Sequence, residues 1–161
     1  MNVARFEKVS PEQFAKDMQD NGYFDFDLSA VSLPSRATSG SAGYDFYSPV
    51  EVNLEPGESC RIPTGIRCFM ENDYVLQIYP RSSFGFRYQM ALLNTVGIID
   101  SDYYGADNEG HIIIGIVNRG NKTMKIGKGD RFVQGIFMRY YLAEEEENNS
   151  SRRHGGFGST D

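Results

Sequence analysis

At 161 residues, 40% hydrophobic and 24% charged, the chain is long enough for one domain with a full core and too short for two comfortable ones. A net charge of −6 and a pI of about 4.9 give no overall electrostatic basis for gripping a DNA or RNA backbone, although a few focused cations still suffice for an anionic small molecule. Apolar runs such as HIIIGIVN and YVLQIY are far too short to span a bilayer, and MNVARFEKVSPEQF carries no secretory apolar segment, so a soluble cytoplasmic protein is expected.

The first element in chain order is a helix. In SPEQFAKDMQDNG, Ser10 is the N-cap, Pro11 takes the first helical position, Gln13 closes a capping box and Gly22 supplies the stop. Phe14, Ala15 and Met18 form one apolar stripe, which predicts a short helix on the outside of the domain with no chemistry of its own. From about residue 43 to 142 the chain changes to short apolar runs punctuated by Gly, Pro, Asn and Asp: AGYDFYS, GESCRIPTGIRCFM, DYVLQIYP, QMALLNTVGIID, HIIIGIVNRG and TMKIGKGDRFVQGIFM. This pattern predicts an all-β domain, a sandwich, jelly roll or barrel. In HIIIGIVN, Ile112, Ile114 and Ile116 lie on one face and Ile113 and Val117 on the other, as expected of a strand buried on both sides, inside a sandwich or at a subunit interface. Cys60 and Cys68, with only two histidines in the chain and neither nearby, make no metal signature and are expected as buried reduced thiols.

The end of the chain reads differently. AEEEENNSS is a linker by composition, and SRRHGGFGSTD is a basic, glycine-rich tail with one aromatic. The expected division is a β body over residues 1–142, with the helix at about 10–22, and a flexible arm over 143–161.

Four segments hold groups capable of chemistry. PRSSFG places Arg81, Ser82 and Ser83 at a strand end before a glycine turn, either a phosphate cradle or a solvated loop. NTVGIIDSDYYG carries Asp100 and Asp102 two apart, on the same side of an extended backbone, with Tyr103 next. That suits a base that activates water beside a ring that packs a sugar or base, and equally an acidic turn between strands. In GKGDRFVQGIF, Gln134 shares its parity with Phe132 and Ile136, so a polar side chain on a buried face needs either a backbone partner or a ligand. Asp45, within the apolar strand of GSAGYDFYS, is open to the same two readings.

Taken in order, SAGYDFYS, PRSSFG, NTVGIIDSDYYG, GDRFVQGIF and RRHGGFGST resemble the five motifs of the trimeric dUTP pyrophosphatases, the dUTPases, over roughly residues 30–161. The resemblance implies a β jelly roll with a short N-terminal helical insertion, assembled as a homotrimer whose active sites draw on all three subunits. It implies hydrolysis of dUTP to dUMP and pyrophosphate with Mg²⁺, which keeps uracil out of DNA and supplies dUMP for thymidylate synthesis. Asp100 matches the aspartate that orients and deprotonates the attacking water, and Tyr103 the tyrosine that packs on deoxyribose where a ribose 2′-OH would clash. Asn94, Val96 and Gly97 match the hairpin that pairs with uracil and leaves no room for thymine's methyl. Arg81, Ser82, Ser83, Gly85 and Gln134 match phosphate-binding positions, and Asp45 the aspartate that acts near the metal through its waters, with no direct protein ligand to the ion. In the tail, Phe157 matches the residue that stacks on uracil, and Arg152, Gly158, Ser159 and Thr160 those that hold the γ-phosphate when the arm closes over a neighbouring subunit's site.

Three features depart from the family pattern. Ser83 stands where a Gly commonly follows the first Ser, Arg153 stands where a Gly follows Arg152, and YYGADNEGHIII is a few residues longer than the usual connection into the next strand. The related dCTP deaminases also carry Arg-Ser-Ser but need a glutamate on the strand after the third motif, and HIIIGIVN has none. A non-catalytic trimer that binds nucleotide as a signal or contacts a protein partner is a reading from another class, opposed by the intact Asp100 and tail.

Overall fold

The computed structural model describes residues 2–144 and 155–156. Its strands are β1 (Ala4–Lys8), β2 (Ser35–Arg36), β3 (Tyr44–Tyr47), β4 (Val52–Leu54), β5 (Ser59–Pro63), β6 (Ile66–Met70), β7 (Tyr74–Pro80), β8 (Met90–Leu92), β9 (Gly97–Ile99), β10 (Ile113–Asn118), β11 (Met124–Ile126) and β12 (Arg131–Arg139). Two α-helices, α1 (Pro11–Asp20) and α2 (Ser82–Tyr88), and two short 3-10 turns interrupt them. The largest sheet has the order β2-β3-β12-β7-β9, and a second runs β5-β10-β8; β1 pairs with β6 and β4 with β11. This is the all-β sandwich expected of the alternating runs.

The core between the sheets is built from Phe46, Ile62, Leu76, Ile78, Leu92, Ile116, Met124 and Phe132, all almost fully buried. In β10, Ile114 and Ile116 face this core, while Ile113 and Val117 are only partly covered. Of the two predicted apolar faces, one is therefore closed within the chain and the other is left half open at its surface. Cys60 and Cys68 are free thiols, the second buried and the first partly so.

Helix α1 starts where its capping sequence predicts, with the Ser10 hydroxyl accepting from Gln13 N–H at 3.1 Å. The reciprocal half of the predicted capping box is missing. Gln13 turns its amide to Asp17 (2.8 Å), and the Ser10 N–H instead donates to Glu109 (2.8 Å), far along the chain. A fully charged carboxylate delivered by a distant loop outcompetes the local amide for that N–H. Nor is α1 a loose ornament: Phe14 and Met18 join the core, and Asp17 is buried beside His111.

Burial by itself raises the Asp17 carboxyl, but hydrogen bonds from His111 and Gln13 outweigh it and hold the group below its ordinary 3.8. Bonds from the Ser10 side chain and backbone likewise hold Glu109 below its ordinary 4.5. A carboxyl with a depressed folded pKa contributes stability that is complete above its unfolded value and lost as pH falls through the folded one. Acid titration of the melting temperature should therefore show wild type losing this contribution below the ordinary carboxylate range. Asp17→Asn should start about 1–3 kcal/mol less stable at pH 7 and converge with wild type at the acid end. Parallel curves at every pH would mean that the Asp17 carboxylate does not carry the docking of α1.

Candidate active site

Between the two sheets opens a cavity of about 300 Å³, at the lower end of the range for small-molecule pockets. Ile78, Gly97 and Ile99 line it from the β7–β9 side, Leu92, Ile114 and Gly115 from the β8–β10 side, and Asn94, Tyr103, Arg61 and Gly156 complete it. The turn over residues 93–96 does not close a conventional hairpin. It carries the chain from β8 in one sheet to β9 in the other, with Thr95 at φ 68° and Val96 N–H donating to the Asn94 carbonyl at 2.7 Å. That crossing leaves Asn94 at the mouth and Gly97 in the wall.

Gly97 is required there by close approach. It pairs with Ile78 across β7–β9, and a Cβ at this position would lie 2.9 Å from the Ile78 Cβ. The glycine thus lets two strands meet behind the pocket.

Asp100 follows β9 directly and is the extended N-cap residue of the 3-10 turn Ser101–Gly105. Asp102 lies inside that turn. The predicted same-side pairing of the two carboxylates assumed extended backbone, and the turn removes that assumption. What the turn does instead is carry Tyr103 back into the cavity, buried to 5% exposure. The Tyr103 phenol donates to the His111 carbonyl at 2.7 Å and accepts from the Asn108 amide at 2.8 Å.

A second group of polar residues gathers at the meeting of β3, β7 and β12. Asp45, 5% exposed, receives Arg81 Nε on one oxygen at 2.9 Å and Arg131 Nη1 on the other at 3.4 Å. A buried carboxylate between two guanidiniums is a satisfied one, and it holds Arg81 in place as Arg81 also donates to the Arg131 carbonyl. Gln134 lies opposite Asp45 and donates to the Pro80 carbonyl at 3.3 Å. Its predicted membership of the buried face does not hold. A bulge between Arg131 and Val133 turns both Phe132 and Val133 inward, and leaves Gln134 and Ile136 partly exposed. Ser82, Ser83 and Gly85 lie on α2, where a loop or glycine turn was expected; the helix places both serines in solvent.

One chain does not merge these two groups: none of Arg81, Ser82, Ser83, Gly85 or Gln134 lines the cavity. Arg152, Phe157, Gly158, Ser159 and Thr160 lie outside the described residues. Gly156, just before Phe157, reaches the cavity wall of its own chain.

Residues 29–161 match the dUTPase family profile. A deoxyuridine 5′-triphosphate nucleotidohydrolase of Lactococcus lactis is 42% identical over 132 residues, which cover 81% of this chain and 88% of that protein. The chain belongs to the dUTPase family. The crystal structure of a dUTPase from Streptococcus mutans superposes with a TM-score of 0.67 at 31% identity, over 86% of this chain and 98% of that one. A dUTPase from phage phi11 of S. aureus shares the fold at 19% identity and a TM-score of 0.66, over 91% of this chain and 96% of that one, and that protein coordinates a structural Mg(II) ion.

Several residues that hold the site's side chains in place were not singled out from sequence. Arg131 precedes the bulge and reads there as an ordinary strand-end cation; only the pairing of β12 with β3 brings it to Asp45. Asn108 and His111 belong to the lengthened loop after Tyr103, and that extra length was the available signal. For Gly97 the geometry gives a direct expectation. Gly97→Ala forces Ile78 aside and should cost about 1–3 kcal/mol, a fall of about 2–4 °C in Tm per kcal/mol. Combining it with Ile78→Val should recover part of that loss in the same calorimetric measurement.

Proposed function

We propose that this dUTPase hydrolyses dUTP to dUMP and pyrophosphate, with uracil and deoxyribose held beside Asn94, Val96, Gly97 and Tyr103. The observation that carries this reading is the convergence of Asn94, Gly97 and Tyr103 on one largely apolar cavity, with Asp100 between the last two along the chain. Asp100 takes a proton from a water, whose oxygen attacks the α-phosphorus in line. The bond from that phosphorus to the bridging oxygen breaks, and pyrophosphate leaves. Such a reaction rests on positioning and charge neutralisation, so one base and a few aligned donors are sufficient. A 2′-hydroxyl would run into the Tyr103 ring, and a cytosine edge would leave buried donors and acceptors mispaired.

The triphosphate on this reading passes Asp100 toward Arg81, Ser82, Ser83, Gly85 and Gln134 of another subunit in a homotrimer. Two features support the assembly. Arg81, Ser82, Ser83, Gly85 and Gln134 lie off the cavity of their own chain, and Leu93 and Ile98, at 49% and 51% exposure, leave apolar surface beside the cavity. We assign residues 1–142 to the body and 143–161 to an arm that closes with Arg152, Phe157, Gly158, Ser159 and Thr160 over the bound nucleotide.

The donor set fits Mg²⁺ carried by the triphosphate. Mg²⁺ is typically held by substrate phosphates and waters, and Asp45, held between Arg81 and Arg131, would act on it through water. The ion supplies neutralisation of the leaving pyrophosphate's charge. Deamination has no base on β10, and Glu109, four residues before that strand, turns both oxygens to Ser10. Free Cys60 and Cys68 suit a reducing cytoplasm, and among the described residues no helix is long and apolar enough to cross a membrane.

Pyrophosphate release from dUTP, dCTP, dTTP and UTP with Mg²⁺ tests the activity. Turnover of dUTP above the others, falling by about 10²–10⁴ in Asp100→Asn, is the expected result; ammonia from dCTP or tight dUTP binding without turnover would overturn it. The shared site has its own test: Asp100→Asn and Arg81→Ala, each inactive alone, should regain part of the wild-type rate when unfolded and refolded together. If every site drew on one chain only, the mixture would stay inactive.

A further inference from the structure

Helix α1 and the loop from Ala106 to His111 are the parts of the chain that dUTP chemistry leaves unused, and α1 precedes the matched family region at residue 29. In the fold they are joined to each other and to Tyr103. His111 is fully buried, its Nε2 accepting from the Gly65 N–H at 2.8 Å and its Nδ1 lying 2.5 Å from Asp17 Oδ2 on α1. A backbone N–H can only donate, so Nε2 is the bare nitrogen; Nδ1 carries the proton and donates to Asp17. Glu109 grips the start of the same helix, accepting from the Ser10 N–H at 2.8 Å and the Ser10 hydroxyl at 2.6 Å.

Between these two anchors the loop takes a shape that a free chain avoids. Glu109 and Gly110 have φ of 60° and 71°, and a Cβ on Gly110 would come within 2.6 Å of the Tyr103 carbonyl oxygen. Glycine takes this conformation freely, but a left-handed Glu109 persists only where its surroundings over-determine it. The product of that shape is a pair of hydrogen bonds on one phenol: the His111 carbonyl accepts from Tyr103 and the Asn108 amide donates to it. Asn108 is itself oriented by accepting the Gly110 N–H at 3.2 Å.

We infer that α1 and the 106–111 loop form one positioning device that holds the Tyr103 ring rigid against the sugar, and so sets the preference for deoxyribose over ribose. The inference rests on the dUTP reading of the cavity. Excluding a hydroxyl by contact works only as far as the wall refuses to move, and a phenol fixed by one donated and one accepted hydrogen bond has little freedom left. Asp100 caps the same 3-10 turn, with the Tyr103 N–H donating to its carbonyl at 3.2 Å. Its own backbone is also held by β9 directly before it, whereas the phenol depends on the loop. Loosening the loop therefore reaches selectivity before it reaches the chemical step. Asn108, His111, Asp17 and Glu109 are positioning residues, acting through Tyr103.

The test uses Asn108→Asp, which keeps an acceptor for the Gly110 N–H and removes the donor to the phenol, and Asp17→Asn, which weakens the far anchor. For each, kcat and KM are measured with dUTP and with UTP, alongside Tm. The expected result is a fall of about tenfold or more in the ratio of kcat/KM for dUTP over UTP, with kcat for dUTP within about threefold of wild type. Tyr103→Phe should lower the same ratio, and adding Asn108→Asp to it should lower the ratio little further, because the two act through one contact. An unchanged ratio in both loop and helix variants, with Tm alone reduced, would overturn the inference and leave a purely structural brace. Wild-type protein that releases no pyrophosphate from dUTP would overturn the dUTP reading, and this inference with it.

Discussion

Strand β12 pairs with β3 on one edge and β7 on the other, and both parts of the site take their place from that double pairing. On the β3 side it brings Arg131 and Gln134 to Asp45. On the β7 side it orders the strand whose other edge carries β9, which in turn carries Gly97 and delivers Asp100. The bulge after Arg131 is part of the same constraint. It allows one strand to turn Phe132 and Val133 into the core while presenting Gln134 toward the partly exposed side.

The site is consequently divided in character as well as in space. The cavity is largely apolar and shaped by close packing, as the approach of Gly97 to Ile78 demands. The Asp45 cluster is charged, with two guanidiniums held on one buried carboxylate. Guanidiniums fixed in advance spare any anionic ligand the entropy of ordering them. The largely apolar cavity and the paired guanidiniums are thus separate features of one chain, built from different residues.

Helix α1 illustrates how a buried polar network can connect elements far apart in the chain. His111 has both ring nitrogens bonded, and Asp17 receives both His111 and Gln13. A network of this kind is stable only when every member is satisfied, which makes it specific: a shift of one turn in α1 would strand a buried carboxylate and a buried imidazole together. The helix also adds Phe14 and Met18 to the core, so its docking is apolar in energy and polar in register.

Much of this was legible in the sequence because it depends on local pattern. The short apolar runs determined an all-β domain, Ser10 and Pro11 marked the start of α1, and the ordered motifs named Asp45, Arg81, Asn94, Asp100, Tyr103 and Gln134. The misreadings share one cause, the assumption that a local rule continues unbroken. Gln134 was assigned a face by parity, which a bulge reversed; Asp100 and Asp102 were paired by extended geometry, which a 3-10 turn ended; Gln13 was given the Ser10 N–H, which Glu109 accepts instead. Composition and spacing along the chain determined which elements form and which groups are available for chemistry. Only the tertiary structure decided that Arg131 meets Asp45 and that the loop after Tyr103 is tied to a helix some ninety residues earlier, since hydrogen bonds and ion pairs between distant segments depend on how sheets stack, and no spacing in the sequence encodes that distance.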